Sequence, residues 1–467
     1  MTVRDIFLSA NNSINDTNTY WLRRVTNNGP YDKGLGACVD AADNVYIVGC
    51  GASQTTQDDG YIAKVNSLGS LQWAVKIGLG GGDDERINAV ACDTIGSFVY
   101  AVVSSQPTSG NFQLNLVKLS QSAGAISWQR SLGGSSAMNQ VYGVDVDSAG
   151  NVYICGVASI TTGKQDIVVA KYNTSGTIQW QRNFNTGTGN TGATGIKVSP
   201  AGNVYLVGYN VYDTQLGGDL ESDYVWSSLT NDGVICILKL NTSGTLQWQT
   251  GLQGVSTKLS AGTGIDLDTS DNVYVCGLTV KSDGSVTSVL VKYDSAGTLQ
   301  WQRELLSFTS STPNLDARAA GVTVSSTGDV YVTGTTHTTL GYSAIFLAKY
   351  SSVGTLSWVN YLRATNTDLE ATGVVLDALG GLSIAGYIAG VNSSIFCGKL
   401  PYTGTKLGIY ILGGVSYTYA SATTMTDAAG TLTEVTPGLT QYTSALSAVG
   451  STLTTSASNL TYSTVTL

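Results

Sequence analysis

The chain has 467 residues, of which only 12% are charged, and it carries 56 Gly, 25 Tyr and 8 Trp against 6 Pro and 3 Met. This composition suits many short strands joined by tight turns, and it excludes long surface helices, which need far more Glu, Lys and Arg. The formal net charge of -9 comes without any run of Lys or Arg, which argues against nucleic acid as a partner.

Residues 1–16 are predicted to form an N-terminal arm, with a short apolar stretch at residues 6–8. This stretch is shorter than the apolar region of a secretory signal, and no apolar run in the sequence reaches the length of a membrane span. If the protein acts outside a cell, we expect it to leave by another route, for example inside an assembled virus particle. The seven Cys contain no CxxC pair, so we expect buried thiols rather than a zinc site or a disulfide ladder.

One pattern returns seven times within residues 17–402, centred on Asn-Val-Tyr, an apolar residue and Gly. Its copies begin at Asn44, Phe98, Asn151, Asn203, Asn272, Asp329 and Gly381. Each unit is predicted to form four strands, named a to d in chain order, such as GVDVD, NVYICG, IVVAKY and TIQWQR. Strands b and c are apolar on both faces, as expected for sheets packed between two neighbours. The sequence therefore predicts an all-β fold, a seven-bladed β-propeller.

The count of strands predicts how the ring closes. Strands a, b and c occur seven times, whereas only six d strands, each marked by a Trp, lie within the repeats. Residues 17–25 match a d strand in spacing and contain Trp21, so we expect them to complete the last blade and remove an exposed edge. A rival for this position is the segment 404–413, which lacks Trp.

A family resemblance follows from these repeats. The unit G-V-x-V-D-x-x-G-N-V-Y-V-x-G, followed by A-K-Y-x-x-x-G-T-x-x-W, resembles the SBBP-type propeller repeats of large bacterial surface proteins. The resemblance covers residues 17–402 and implies the fold. It implies no particular activity, because propellers host many unrelated functions.

Residues 403–467 are predicted to form a Ser/Thr-rich heptad-repeat extension for assembly. Apolar residues recur in it at every seventh position: Met425, Leu432, Leu439, Leu446, Leu453, Leu460 and Leu467. Interrupting Gly and Pro favour a short strand and turn over a coiled coil, although the helical alternative stays open. An isolated copy of either form cannot bury its leucines, so we expect self-association or contacts with other virion proteins through Leu432 and the five leucines that follow it.

The extension also resembles the C-terminal ends of some structural proteins of cyanobacterial viruses, which carry similar Leu-Thr and Asp-Ala-Ala-Gly heptads. This resemblance covers only the extension, which has a simple composition. It implies a virion component and a virion localisation, with the cell surface or extracellular space as the alternative.

Several charged positions are candidate sites. Lysines occupy the same c-strand position in every blade: Lys64, Lys118, Lys171, Lys239, Lys292, Lys349 and Lys399. They predict either a cationic ring or, as we favour, a structural pairing with acceptors at the blade ends. Asp145 and Asp147, like Asp266 and Asp268, resemble part of a calcium loop, but the chain returns at once to strand b, so we expect Asx-turns. Since no triad, zinc or nucleotide motif accompanies the single His337, we expect no metal, no cofactor and no enzymatic activity.

The candidate binding face lies around the long b-to-c insertion of blade 4, residues 209–232. Aromatic side chains beside acidic ones can stack on sugar rings or anchor a protein interface. The candidate residues are Tyr212, Tyr224, Trp226, Asp219 and Asp223 of the insertion, with Asp83 and Asp84 of a Gly-rich d-to-a loop. We expect them on one face, because b-to-c and d-to-a loops share a face in propellers. The alternatives are an insertion that packs on its own propeller and a solvated loop at Asp83.

These observations predict a non-enzymatic virion structural protein, as a tail, fibre or capsid-surface component that displays the propeller for host or partner binding. The alternative is a cell-surface or secreted propeller that binds glycan or protein. A propeller enzyme is the third possibility.

Overall fold

The structure is a computed structural model. It describes residues 20–26, 32–53, 57–78, 84–93, 97–106, 113–133, 139–161, 164–187, 189–211, 233–254, 258–306, 317–337, 341–390, 393–412, 415–422, 425–435, 440–443, 447–449, 454–457 and 461–466. Every regular element among these residues is a β-strand. The predicted N-terminal arm, residues 1–16, lies outside them.

The strands are named in chain order. They are β1 (Trp21–Thr26); in blade 1, β2 (Lys33–Val39), β3 (Val45–Ser53), β4 (Gln57–Val65) and β5 (Leu71–Gly78); in blade 2, β6 (Asp84–Cys92), β7 (Phe98–Gln106), β8 (Gln113–Ser120) and β9 (Ile126–Gly133); in blade 3, β10 (Asn139–Val146), β11 (Val152–Thr161), β12 (Lys164–Tyr172) and β13 (Ile178–Asn185); in blade 4, β14 (Asn190–Val198), β15 (Val204–Val211), β16 (Gly233–Leu240) and β17 (Leu246–Gln253); in blade 5, β18 (Ser260–Leu267), β19 (Val273–Val280), β20 (Val286–Tyr293) and β21 (Leu299–Leu306); in blade 6, β22 (Ala317–Val324), β23 (Val330–His337), β24 (Ser343–Tyr350) and β25 (Leu356–Ala364); and in blade 7, β26 (Asp368–Leu376), β27 (Gly381–Ala389) and β28 (Ser394–Pro401). The C-terminal segment adds β29 (Gly408–Leu412), β30 (Val415–Ser421), β31 (Thr426–Ala429), β32 (Thr433–Val435), β33 (Thr440–Thr443), β34 (Ser447–Val449), β35 (Thr454–Ala457) and β36 (Thr461–Thr466).

These strands form seven antiparallel sheets, and each sheet is one blade of a β-propeller. The predicted fold class is confirmed. The N-terminal strand β1 pairs with β28 and is therefore strand d of blade 7, with Trp21 opposite Lys399. The prediction that Trp21 closes the ring is thus correct, and the rival segment forms β29 on blade 6 instead.

The core lies between neighbouring blades. The middle strands b and c are buried along their length, as in β15 and β28, where every residue is buried. Between blades 3 and 4, Tyr153 and Cys155 of strand b pack against Ile196 of the next blade's strand a. Side chains on both faces of most middle strands are removed from water, which explains why apolar residues predominate in them.

The C-terminal segment forms a belt around the outside of the propeller. Its strands pair with the outer strand of one blade after another in reverse order: β30 on blade 6, β31 on blade 5, β32 on blade 4, β33 on blade 3, β34 on blade 2, β35 on blade 1 and β36 on blade 7. Strands β31 to β36 begin at residues 426, 433, 440, 447, 454 and 461. One heptad is therefore the length of chain that carries the belt from one blade to the next.

The belt changes the interpretation of the heptad leucines. Met425 and Leu432 are each only 5% exposed; Met425 packs with residues of blades 5 and 6, and Leu432 with residues of blades 4 and 5. For Leu432 the structure corrects the expectation of an external partner, because the rim of the same chain offers an apolar cleft between blades 4 and 5. The side chains of Leu439, Leu446, Leu453, Leu460 and Leu467 lie outside the described residues. The described parts of the belt are strands, as the β alternative predicted.

Polar contacts hold the belt on blade 5. The main-chain N–H and the hydroxyl of Thr431 both donate to Glu304 Oε1, at 3.0 and 2.7 Å. The ammonium group of Lys281 contacts the other carboxylate oxygen of Glu304. Burial acts to raise the pKa of Glu304, but the hydrogen bonds from Lys281 and Thr431 outweigh it, so the pKa is lowered. Glu304 therefore stays ionised and holds the belt as a charged acceptor.

Candidate functional site

The propeller has two faces of different character. The a-to-b and c-to-d turns form one face, named the turn face, and the b-to-c and d-to-a connections form the opposite one, named the loop face. Both ends of the blade 4 insertion lie on the loop face, since β15 ends at Val211 and β16 begins at Gly233.

Of the predicted binding residues, only Asp84 belongs to the described part of the chain. It is the first residue of β6, partly buried at the loop-face end of blade 2. The others are Tyr212, Tyr224, Trp226, Asp219, Asp223 and Asp83, which lie outside the described residues. Their grouping on one face stays a prediction.

The turn face carries a repeated lock between neighbouring blades. The indole N–H of Trp21 donates to Ser67 O of blade 1 at 3.2 Å. The same bond to the c-to-d turn of the following blade is made by Trp73 to Gln121, Trp128 to Thr174, Trp180 to Thr242, Trp248 to Ser295 and Trp301 to Ser352. In each turn a glycine lies against the indole. At Gly69, with φ of +80°, an added Cβ would lie 2.7 Å from Trp21 Cγ, so only glycine fits.

Lysines of the seven-membered ring bind the same c-to-d turns of the next blade that the tryptophans bind. Lys64 Nζ donates to Gln121 O of the next blade at 3.1 Å and lies 3.8 Å from Asp40 Oδ2 of its own blade. Other lysine–carboxylate pairs are Lys292–Asp268 at 3.9 Å, Lys349–Asp329 at 2.9 Å and Lys399–Asp377 at 2.6 Å. The structural pairing predicted for these lysines is confirmed at these four positions, and Lys64 and Lys292 also donate to a main-chain carbonyl of the next blade.

Of the four aspartates predicted to form Asx-turns, Asp147 and Asp268 do so, whereas Asp145 and Asp266 accept main-chain N–H groups of the next blade. Asp147 Oδ1 accepts hydrogen bonds from the main-chain N–H of Ala149 and Asn151, at 3.0 and 2.8 Å. Asp268 makes the same contacts, and burial, which acts to raise its pKa, is outweighed by hydrogen bonds led by those from Asn272, so that the pKa is lowered. The carboxylate oxygens are occupied by the turn itself. No group of three or more His, Cys, Asp or Glu side chains suited to a metal ion occurs in the described part of the chain.

The inner strands of the blades line a central channel that contains a cavity of about 400 Å³. Every strand a has a β-bulge near its middle. Three of the bulged side chains bridge to a main-chain carbonyl of the next blade: Asn88 to Val141 at 2.7 Å, Thr194 to Gly262 at 2.8 Å and Thr263 to Ala319 at 2.8 Å. These three hydrogen bonds connect the bulges of blades 2, 4 and 5 to the neighbouring blades along the channel wall.

A charged cluster interrupts this wall in blades 3, 4 and 5. Lys197 Nζ lies 3.4 Å from Asp266 Oδ1, and the Lys197 side chain is 39% exposed because it borders the cavity. Asp266 and Asp145 each accept a main-chain N–H from the next blade, Val324 at 2.9 Å and Val198 at 2.7 Å. The cluster thus joins blades 3 to 6 around the inner wall.

Burial and the charges within the cluster shift the pKa values of Lys197 and Asp145. The Asp266 carboxylate raises the pKa of Lys197, so this amine stays protonated and is not a nucleophile. Burial raises the pKa of Asp145, although Lys197 opposes the shift. The sequence pattern pointed to both aspartates but not to Lys197. Alignment of the seven a strands would have found it, since Cys38, Ala91, Thr323 and Val375 occupy the same position in blades 1, 2, 6 and 7.

The thiols of the chain are poor nucleophiles. All seven cysteines are free, and all except Cys92 are buried. Burial raises the pKa of Cys276 and of Cys397 to about 12. Thiolates are therefore disfavoured, and these residues act as small apolar side chains, as predicted.

The fold and these contacts define the class of protein: it is a seven-bladed β-propeller in which turns lock the blades together and a C-terminal belt surrounds them. No helix among the described residues is long and apolar enough to cross a membrane.

No protein-family model and no curated protein matches the chain. Among solved structures, quinohemoprotein alcohol dehydrogenase from Comamonas testosteroni is 11% identical, with a TM-score of 0.44 over 87% of this chain and 77% of that one. A subtype N10 neuraminidase-like protein of A/little yellow-shouldered bat/Guatemala/060/2010 is 12% identical, with a TM-score of 0.37 over 66% and 92%. Apocarotenoid oxygenase from Synechocystis is 12% identical, with a TM-score of 0.33 over 78% and 71%.

Proposed function

We propose that this protein is a non-enzymatic structural component of a virion, in a tail, a fibre or the capsid surface, and that it displays the loop face of its propeller to a host glycan or protein. The seven blades form the scaffold, and the belt secures it. The binding residues are those of the blade 4 insertion, with Trp226 as the central aromatic anchor.

The observation that carries this proposal is the contrast between the two faces. On the turn face the same Trp–turn bond is repeated from blade to blade. The blades differ in their loop-face connections, of which the one between β15 and β16 is the longest b-to-c connection. A repeated, rigid base with one enlarged connection on the other side is typical of a display scaffold, because rigid elements position binding loops.

The virion assignment rests on further support. The C-terminal segment resembles the ends of structural proteins of cyanobacterial viruses, and the chain has few Lys. A belt that covers the outer strand of every blade leaves fewer long, open strand edges for uncontrolled pairing. Such protection suits a protein that must persist in a crowded particle.

The virion role is tested by quantitative mass spectrometry of purified particles from the host system. We expect this chain at a fixed copy number relative to the major capsid protein, and retained after density-gradient purification. Loss of the chain on purification, together with its recovery at the surface of uninfected cells, would contradict the virion role and favour a cell-surface propeller.

The binding face is tested by adsorption of the purified protein to host cells. We expect Trp226→Ala to weaken binding by about tenfold to hundredfold, the size of a central aromatic hot spot. Trp226→Phe keeps a stacking ring and should retain most binding. The control is Gln247→Ala, an exposed change on the outer strand of the same blade, which should bind like the wild type. If Trp226→Ala instead unfolds the protein, the insertion is structural and the proposed site is wrong.

A further inference from the structure

Blade 7 contains an ion pair that is almost completely buried. Lys399 Nζ lies 2.6 Å from Asp377 Oδ2, and the two side chains are 2% and 1% exposed. The equivalent pair in blade 5, Lys292 and Asp268, is 3.9 Å apart, with side chains 14% and 13% exposed. Burial removes the hydration of both charges, and the attraction between them often does not repay that cost. The pair in blade 7 therefore differs in kind from the one in blade 5.

Two substitutions in the repeat set this pair apart. In blades 1, 3 and 5 the second oxygen of the turn aspartate accepts hydrogen bonds from an Asn side chain and from a Tyr hydroxyl. In blade 3 these donors are Asn151 and Tyr153, at 2.8 and 3.0 Å from Asp147 Oδ2. Blade 7 has Gly381 and Ser383 at the two positions, so both of the usual donors are missing.

The lysine occupies the place of these donors. Asp377 Oδ1 still accepts the main-chain N–H groups of Leu379 and Gly381, at 3.0 and 2.6 Å. Within the described residues, the buried atoms Asp377 Oδ2 and Ser383 Oγ form no hydrogen bond. The nitrogen of Lys399 is thus 2.6 Å from Oδ2 without hydrogen-bond geometry.

Small residues make room for this approach. A Cβ added to Gly381 would overlap both Lys399 Cε and Asp377 Oδ2. In blade 3, Lys171 lies over the Tyr153 ring, 4.9 Å from its centre. The strand partner of Lys399 is Ser383, which has no ring to hold the lysine in that way. The repeat has therefore been changed at the two positions that allow nitrogen and carboxyl to meet.

A second carboxyl group reaches the same turn from blade 1. Asp43 Oδ1 accepts the main-chain N–H of Ala378 at 3.2 Å, and Asp43 is only 8% exposed. Burial raises the pKa of Asp43, and the charge of Asp377 adds to this shift. Asp43 therefore holds a proton more readily than an ordinary aspartate does.

We propose that Lys399 and Asp377 join in an intramolecular isopeptide bond, with Asp43 as the neighbouring acid. Transfer of one proton from the ammonium group to the carboxylate gives a neutral amine and a neutral carboxylic acid, which suits a site from which solvent is excluded. Lys399 Nζ then attacks Asp377 Cγ, so that a C–N bond forms and one C–O bond breaks. The hydroxyl leaves as water with a second proton from the nitrogen.

Asp43 donates a proton to the departing oxygen and recovers one from the nitrogen, so it is unchanged overall. The reaction needs no other reactant, and the fold supplies the close approach of the two groups. The bond would tie strand c of blade 7 to its a-to-b turn, in the blade that receives the N-terminal strand β1. This inference depends on the fold and is independent of the virion role.

Mass spectrometry of the full chain, purified and then denatured, tests the bond. The wild type should be lighter than its sequence mass by one water molecule. Because an acylated lysine is not a trypsin site, trypsin should release residues 364–406 as one peptide, also lighter by one water, instead of residues 364–399. Cleavage after Lys292 is the internal control, since its carboxylate partner is 3.9 Å away and has other donors.

Two variants assign the roles. Lys399→Arg keeps a positive charge but lacks the amine, so it should have the full mass and be cut by trypsin at this position. Asp43→Asn keeps an oxygen for the N–H of Ala378 but has no acidic proton. Loss of a general acid slows such a step by about 10²–10⁴-fold. Freshly purified Asp43→Asn protein should therefore contain unlinked chain, while its circular dichroism stays that of the wild type.

A wild type of full mass that trypsin cuts after Lys399 would overturn the proposal. So would a chain that has lost water but is still cut after Lys399, because that pattern indicates a succinimide at an aspartate and not a bond to the lysine. Complete linkage in Asp43→Asn would refute the role of Asp43 as the acid.

Discussion

The lock between the blades makes a quantitative prediction at Gly244, which lies in the c-to-d turn of blade 4. Its φ is +75°, and an added Cβ would lie 2.8 Å from Cδ2 of Trp180 in blade 3. Gly187, with φ of +76°, has the same backbone strain, but its added Cβ would meet nothing within 4 Å. The pair Gly244→Ala and Gly187→Ala therefore separates contact with the indole from the backbone cost.

The magnitudes follow from the structure. The left-handed conformation costs a non-glycine residue about 1–2 kcal/mol, and this cost is common to both variants. At Gly244 the Cβ also needs the indole to move by several tenths of an ångström, although the Trp180 N–H is held by Thr242 O at 3.1 Å. Overpacking of this kind costs about 1–3 kcal/mol. We expect Gly187→Ala to lose about 1–2 kcal/mol and Gly244→Ala about 2–5 kcal/mol.

Equilibrium unfolding in guanidinium chloride, followed by circular dichroism, measures both variants against the wild type. Equal m values are required, so that the shift in midpoint reports the free energy of unfolding. The lock is refuted if the two variants differ by less than about 0.5 kcal/mol, which is within the range of ordinary surface substitutions.

Two further predictions concern the belt and the channel. Leu432→Ala should lower the free energy of unfolding by about 2–4 kcal/mol, as expected for a buried leucine. Leu379→Ala, at an exposed position, should change the free energy of unfolding little. Equal losses for the two variants in chemical denaturation would contradict a belt whose leucine is buried. The pKa of Asp145 is raised in the folded state, so its contribution to stability is present at low pH and is lost as the pH rises past the ordinary Asp range. Asp145→Asn should therefore gain stability relative to the wild type between about pH 3 and about pH 7, and a difference that stays constant over this range would show that the carboxyl is not perturbed.

The sequence was sufficient to predict the propeller and its closure. Both depend on local patterns that repeat: the apolar b and c strands, and a Trp at one position of strand d. The missing seventh d strand had a single strong match at Trp21, which the pairing of β1 with β28 confirms. The pairing of lysines with acceptors followed from the same logic, because a residue present in every blade serves the scaffold.

The belt was not predictable in the same way. A seven-residue period states how often an apolar side chain recurs, but it does not state which surface receives it. For Leu432 the receiving surface is a cleft between blades 4 and 5 of the same chain. That surface forms only after residues distant in sequence have folded, so the period suggested a partner molecule.

The most direct test of the architecture is a cysteine cross-link between the two ends of the chain. Arg24 of β1 and Ser463 of β36 are opposite each other in register, and antiparallel partners lie within the Cα separation that a disulfide spans. Under mild oxidation, Arg24→Cys with Ser463→Cys should form a disulfide within one chain, identified by mass spectrometry of the digested monomer. Arg24→Cys with Thr440→Cys should not link, because Thr440 pairs with Asn185 on blade 3. A link that forms only between chains, or equally in both pairs, would contradict a belt that wraps its own propeller and ends against β1.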